Sequence, residues 1–293
     1  MKRLAAPLVA LLLAAAAVAG CSPDRSGTLG PGPSGSPAAS PSASPEPEPT
    51  SSAPTPAESA TSKPPTGTVT IGLWYARDGK LVFTKHTRPA TVATSRLALT
   101  ELATGPSVLE TSVGMLTAFP AGTTYSIASI TDGVATVSFD AGFYAGGRDV
   151  ARLRQAQVVY TLTEFSTVKK IGFQQDGKAL AAPVGRGDYA DLLPFIVVTS
   201  PIVGQRTPSP ITVAGTADVY EATVSIRVLD AAGKEIATTF TTATCGSGCR
   251  GTYRLGVAYR VAKQQSGVVE VYWVSAEDGS HRNVVRIPVT LVP

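Results

Sequence analysis

The sequence predicts two folded units of different class: an α+β unit over residues 67–182 and an all-β sandwich over residues 195–293. Three observations carry this. Between 67 and 182, segments that alternate apolar and polar residues are interrupted twice by stretches of helical period. From 195 onward the two-residue period runs on without a helical interruption. Ahead of both, residues 21–66 are dominated by Pro, Ser, Ala, Gly and Thr, hold about half of the chain's 23 prolines, and show no period that could build a core.

In the first unit, Thr68–Tyr75 alternates, with Val69, Ile71, Leu73 and Tyr75 on one face. Asp78-Gly79 turns the chain into a second strand, Lys80–Thr87. A helix follows over about 91–103, with Ala98, Leu99 and Leu102 on one side, and Gly105-Pro106 stops it. Thr123–Ile130 and Val134–Asp140 are strands joined through Asp132-Gly133. Asp149 is placed to cap a second helix over about 149–164, whose broad apolar face holds Leu153, Ala156, Val159 and Leu162. Thr167–Phe173 is the last strand, closed by Asp176-Gly177. The order is ββαββαβ, and the expected packing is two helices on one face of a mostly antiparallel sheet.

Residues 183–194 read as a short connector with Pro183, Gly185, Gly187 and Pro194. The second unit shows rows of alternating apolar residues: Ile211 and Val213; Val224, Ile226 and Val228; Ile236 and Phe240; Tyr253, Leu255, Val257 and Tyr259; Val269, Val271 and Trp273; Val285, Ile287, Val289 and Leu291. About seven short strands at this spacing suggest a sandwich.

The N-terminus has its own organisation. Lys2 and Arg3 precede an apolar run from Leu8 to Ala19, shorter than the ~20 apolar residues that a bilayer requires. This is an export signal, expected over 1–20. Its end, Val18-Ala19-Gly20-Cys21, resembles the bacterial lipobox. The resemblance implies a diacylglyceryl group on the Cys21 sulfur, a mature chain beginning at Cys21, and a place on the extracytoplasmic face of the cell membrane. The tether at 21–66 would then reach about 35–40 Å as a coil and at most about 140 Å as polyproline II.

Charge and composition exclude more than they select. The net charge is +4, and it survives removal of the signal and tether because their charges cancel. Such a mild, unclustered excess suits contact with anionic wall polymers or head groups but not nucleic acid. Cys245-Gly246-Ser247-Gly248-Cys249 reads as a structural disulfide, since the glycines let the backbone bring both sulfurs together in an oxidising compartment. A redox pair and a metal site are the other readings; the spacing is not Cys-x-x-Cys, and zinc would need further ligands. His86 and His281 lie in different units with no Cys or second His at ligand spacing, and both read as solvent-exposed. Asp78, Asp132, Asp176 and Asp278 each precede a Gly in a turn, where Asp serves local hydrogen bonding. Gly142, Gly146 and Gly147 form a loop without the Lys-Ser/Thr of a phosphate cradle. Trp74, Tyr75, Tyr144, Tyr272 and Trp273 are candidates for a sugar-stacking platform; Trp273 alternates with core residues, and Trp74 lies either under a helix or exposed. No catalytic set, metal site or cofactor is expected.

Two resemblances add to this. Thr104-Gly105-Pro106, Ala118-Phe119-Pro120-Ala121-Gly122-Thr123, the run Asp132–Phe139 and the run Ala156–Val168 resemble the GerM-type domain of spore germination and sporulation proteins. That implies a compact α/β domain similar to ring-building motifs, and brings no catalytic residues. Pro194–Val198, Ser200-Pro201, Val213–Ala217, Glu221–Val224, Gly251-Thr252-Tyr253 and Ile287-Pro288-Val289 resemble the immunoglobulin-like domain associated with bacterial spore germination. The expectation is a lipid-anchored, non-catalytic protein-interaction or scaffold module of the cell envelope. Its partners would be the membrane, through the anchor, and other envelope proteins or a cell-wall polymer. A glycan-binding lipoprotein is the alternative, and a secreted hydrolase, lacking a residue set, ranks last.

Overall fold

The structure is a computed structural model that describes residues 65–293. The export signal, Cys21 and nearly all of the tether lie outside the described residues.

The chain enters as a long hairpin, β1 (Thr68–Arg77) and β2 (Lys80–Pro89), closed at Asp78-Gly79. Both central turn residues have positive φ, 52° and 72°, the geometry that matches the twist of paired strands and that Asp-Gly tolerates. Next come α1 (Thr94–Thr104), a short α2 (Val108–Ser112), β3 (Tyr125–Thr131), β4 (Val134–Phe139), a short α3 (Ala141–Tyr144), α4 (Arg148–Leu162), β5 (Lys170–Gln175) and β6 (Lys178–Ala179). Ser107 caps α2 and Glu110 reaches back to it, a complete capping box. Gly147, not Asp149, is the N-cap of α4, and Asp149 sits in the first turn, where a carboxylate complements the helix dipole.

The sheet expected as one mostly antiparallel unit is divided in two. The strands form two sheets, the β1–β2 hairpin and a four-stranded sheet ordered β3-β4-β5-β6, in which β4 and β5 run parallel. The connection from β4 to β5 passes through α4, and a strand–helix–strand crossover brings the second strand in parallel to the first. The hairpin stays separate because the outer edge of β1 is already used. Thr161 Oγ1 accepts from Trp74 N at 3.0 Å, Gln157 Nε2 donates to Trp74 O at 3.1 Å, and Leu116 exchanges both backbone bonds with Ala76. Two polar side chains of α4 thus satisfy an edge that another strand would otherwise take, which is why Thr161 and Gln157 are fully buried.

The faces of the hairpin divide by parity. Tyr75, Val82, Thr84 and His86 face α1 and α2, while Trp74 and Phe83 lie toward α4, with the Trp74 ring 5.0 Å from Tyr160. Leu99, Leu102, Leu162, Val137 and Ile171 complete a common core, each worth about 1.5–3 kcal/mol of burial. Arg154 on α4 donates to the carbonyls of Ala118, Phe143 and Ala145 at 2.8, 2.8 and 2.6 Å, fixing α3 by meeting carbonyls that its helix end leaves open.

Residues 183–194 contain an ordered 3-10 turn, Arg186–Leu192, rather than a plain loop. Tyr189 is buried there under Arg152, whose guanidinium also pairs with Asp191 at 2.6 Å.

The remaining strands are β7 (Ile196–Ser200), β8 (Arg206–Thr207), β9 (Ile211–Ala217), β10 (Thr223–Leu229), β11 (Glu235–Thr242), β12 (Gly251–Val257), β13 (Gln265–Val274) and β14 (His281–Leu291). They make a sandwich of a five-stranded sheet, β11-β10-β13-β14-β8, and a three-stranded sheet, β12-β9-β7. Val213, Val224, Ile226, Val228, Val269, Val271 and Leu291 fill the space between. Gly215 is required where β9 passes beneath the Tyr253 hydroxyl. That hydroxyl donates to Val197 O at 2.9 Å, and a Cβ on Gly215 would lie 1.9 Å from the same carbonyl. The last strand ends in a sheet, Leu291 pairing with Thr207 of β8. Phe240 departs from the inward row expected for β11 and is 68% exposed.

Candidate functional site

Residues singled out in the sequence are dispersed by the fold. Cys245 and Cys249 are bonded, their Cα atoms 5.7 Å apart, in the loop before β12. His281 stacks on Tyr272 at 3.9 Å, in the sandwich and apart from His86 in the first unit. Asp78, Asp132 and Asp176 hold positive φ at hairpin turns. Trp74, Tyr75 and Tyr272 are buried, and Trp273 packs half-buried against the sandwich core. Among the described residues no cluster of His, Cys, Asp and Glu has the arrangement of a metal site.

His86 is the clearest correction. It is 8% exposed, not solvent-facing. Nδ1 lies 2.7 Å from Glu101 Oε2 on α1, and Nε2 lies 3.0 Å from Glu110 Oε2 on α2. Arg88 makes a two-pronged contact to Glu101 at 2.8 and 2.6 Å, and Glu110 also accepts from Thr84 Oγ1 and from Ser107 N at 2.8 Å. Burial alone would lower the His86 pKa, but its bonds to Glu110 and Glu101 outweigh burial and raise it. Burial pushes Glu110 up, yet His86, Thr84 and Ser107 together bring it down to about 2. Glu101 is likewise held low by Arg88 and His86 against the effect of burial. An imidazolium with a carboxylate on each nitrogen has neither lone pair nor substrate access. It is a clamp that ties β2 to both helices.

An apolar groove opens where the two domains meet. Leu109 of α2 rests on Gly204, close enough that a Cβ there would lie 2.5 Å from the leucine Cδ2. Val197 of β7 belongs to the first domain's core, with Ile202 and Val203 packed on it. Polar ties hold the connector to both domains: Arg250 Nη2 donates to Pro194 O at 2.8 Å and Lys80 Nζ to Asp191 O at 2.7 Å. The groove has a volume of about 320 Å³ and an apolar floor that includes Leu81, Phe83, Met115, Val197 and Ile287. At its mouth Phe195 and Val284 are 59% and 41% exposed. The charged residues around it are Arg77, Lys80 and Arg286 against Asp78. Such a size lies at the lower end of small-ligand pockets. Sequence reasoning missed it because its walls come from β2, β7 and β14, and only the exposed Phe195 beside Pro194 hinted at an unpartnered apolar position.

Comparison with known proteins follows the two-domain division. No curated protein matches the chain. The first GerMN domain of the sporulation protein GerM from Bacillus subtilis aligns at 26% identity with a TM-score of 0.34, over 40% of this chain and 90% of that one. The tandem GerMN domains of the same protein align at 16% identity and a TM-score of 0.38, over 77% of this chain and 61% of that one. CopC from Methylosinus trichosporium OB3b aligns at 20% identity and a TM-score of 0.23, over 34% of this chain and 96% of that one. The family described as "Sporulation and spore germination" matches residues 73–181, and the family described as "Immunoglobulin-like domain of bacterial spore germination" matches residues 195–280. The two folded units thus match the models of two spore-germination domain families, in that order.

Proposed function

We propose that this protein is a lipid-anchored, extracytoplasmic module that binds other envelope proteins without catalysing a reaction, in a process of the sporulation or germination type. The carrying observation is the groove between the two domains, an open apolar surface to which both contribute. The domain families point to the process, and the lipobox-like Val18–Cys21 points to the compartment. Clamped His86 and dispersed aspartates favour binding over turnover.

The test compares wild type with Cys21→Ala in cells. The wild type is expected in the membrane fraction, with a mature mass that includes lipid on Cys21, and the variant in the unlipidated form. Site-specific photo-crosslinking from Phe195 should then yield a discrete protein adduct. A soluble, unlipidated wild type refutes the anchor, and crosslinks to purified peptidoglycan in place of protein refute the protein-binding reading.

A further inference from the structure

The groove also carries information about what fits it. This step rests on the protein-binding reading above and concerns the chemistry of the partner. We infer that the groove receives a peptide segment of a partner protein that presents two large apolar side chains flanked by carboxylates.

Volume sets the apolar part. A cavity of ~150 Å³ lined by aliphatic and aromatic groups takes one benzene. At about 320 Å³ the groove has room for about two side chains of ring or leucine size. Phe195 and Val284 at its mouth are large apolar groups left facing solvent, whereas Leu81 and Val197 in the floor are buried. A partner that covers the mouth removes that exposed surface from water.

Charge sets the flanks. The charged residues lining the groove are Arg77, Lys80 and Arg286, with Asp78 as the acidic member. Arg286 is paired through one nitrogen with the buried Glu270 at 2.5 Å but keeps its side chain 61% exposed. An excess of positive charge around an apolar floor steers and holds a segment with acidic flanks, and repels a basic one.

The groove wall favours a peptide over an acyl chain. Trp74 and Ala76 direct their backbone groups away from β2, to Thr161, Gln157 and Leu116. Their cross-strand neighbours Phe83 and Leu81 must therefore direct N–H and C=O off the opposite edge of the hairpin. Both residues line the groove, and no backbone partner takes these groups among the described residues. A peptide can answer them with its own donors and acceptors, and a hydrocarbon cannot.

The experiment measures fluorescence anisotropy of labelled peptides against the purified full chain. The first probe has the core Glu-Glu-Leu-Ser-Phe-Glu-Glu, and the second has Lys at each Glu. The first is expected to bind in the micromolar range, with affinity falling as salt rises, and the second at least tenfold more weakly. Phe195→Asp should weaken the first by tenfold or more. Arg77→Glu should weaken the first and strengthen the second. Phe195 is exposed and Arg77 lies at the hairpin end, and thermal melts of both variants should match the wild type. Equal affinity for the two peptides, or binding untouched by Phe195→Asp, overturns the inference. So does saturable binding of phosphatidylglycerol vesicles or purified peptidoglycan that Phe195→Asp abolishes while neither peptide binds. If a protein adduct forms in cells from other surface positions but not from Phe195, the partner-binding function stands and the groove assignment falls.

Discussion

Replacing His86 by Gln removes one positive charge from between two carboxylates that remain buried. Glu101 keeps Arg88, and Glu110 keeps Thr84 and Ser107, so neither acid is left without a partner. Breaking a buried ion pair by deleting one member costs about 3–5 kcal/mol, and the surviving partners place this case near 3. For a domain of about 120 residues, where 1 kcal/mol moves Tm by roughly 4 °C, the loss is about 12 °C. The assay is urea unfolding followed by the fluorescence of Trp74, in a Trp273→Phe background so that only the first domain reports. The pH dependence adds an independent arm. The folded pKa of His86 is raised above its ordinary value of 6.5, so its contribution is complete below about pH 6.5 and disappears as pH rises through the folded value. Glu110 is lowered to about 2, so its contribution is complete above its unfolded value of 4.5 and is lost as pH falls toward 2. Wild-type stability should therefore fall on the alkaline side of 6.5, and that limb should vanish in His86→Gln. A variant within 1 kcal/mol of wild type, with the alkaline limb intact, would refute the clamp.

Other perturbations separate further parts of the structure. Cys245→Ser with Cys249→Ser opens a five-residue loop, and the chain-entropy relation gives a loss of about 2 kcal/mol, measured by denaturant unfolding with and without reductant. Gly215→Ala forces a Cβ to within 1.9 Å of Val197 O and should abolish the folded sandwich, seen as loss of dispersed methyl signals in NMR spectra. Arg154→Leu leaves the carbonyls of Ala118, Phe143 and Ala145 without their donor and should cost about 2–4 kcal/mol in the same urea assay. Gly204→Val collides with Leu109 and should loosen the seam, read as separate unfolding transitions of the two domains in calorimetry.

The elements were legible where local period and turn chemistry decide them. Asp78-Gly79, Asp132-Gly133 and Asp176-Gly177 all close hairpins with both residues at positive φ, as the dipeptides imply. Long-range arrangement was less legible. The parallel pairing of β4 with β5 follows from the helix between them, a topological rule that periodicity alone does not supply. His86 was misread because Lys85-His86-Thr87-Arg88 looks like a polar strand end, and its partners lie 15 and 24 residues away on two helices. Two local signals pointed to the truth: His86 shares strand parity with Val82 and Thr84, and Ser107 stands three residues before Glu110 in a capping box. Thr161 and Gln157 gave no signal at all, since polar residues on an apolar helix face read as its boundary rather than as the cap of a distant strand.

That cap has a kinetic consequence. The β1–β2 and β3–β4 hairpins need only near neighbours and their Asp-Gly turns, and isolated hairpins form in about 1–10 μs. Seating Thr161 and Gln157 against Trp74 joins groups 87 and 83 residues apart in the chain, so this contact awaits closure of a long loop. Until α4 docks, β1 is a bare edge able to pair with another chain. Refolding at high protein concentration should therefore lose material to association during the interval between hairpin formation and helix docking, and Thr161→Val with Gln157→Leu should lengthen that interval, turning a property of the native edge into a determinant of folding yield.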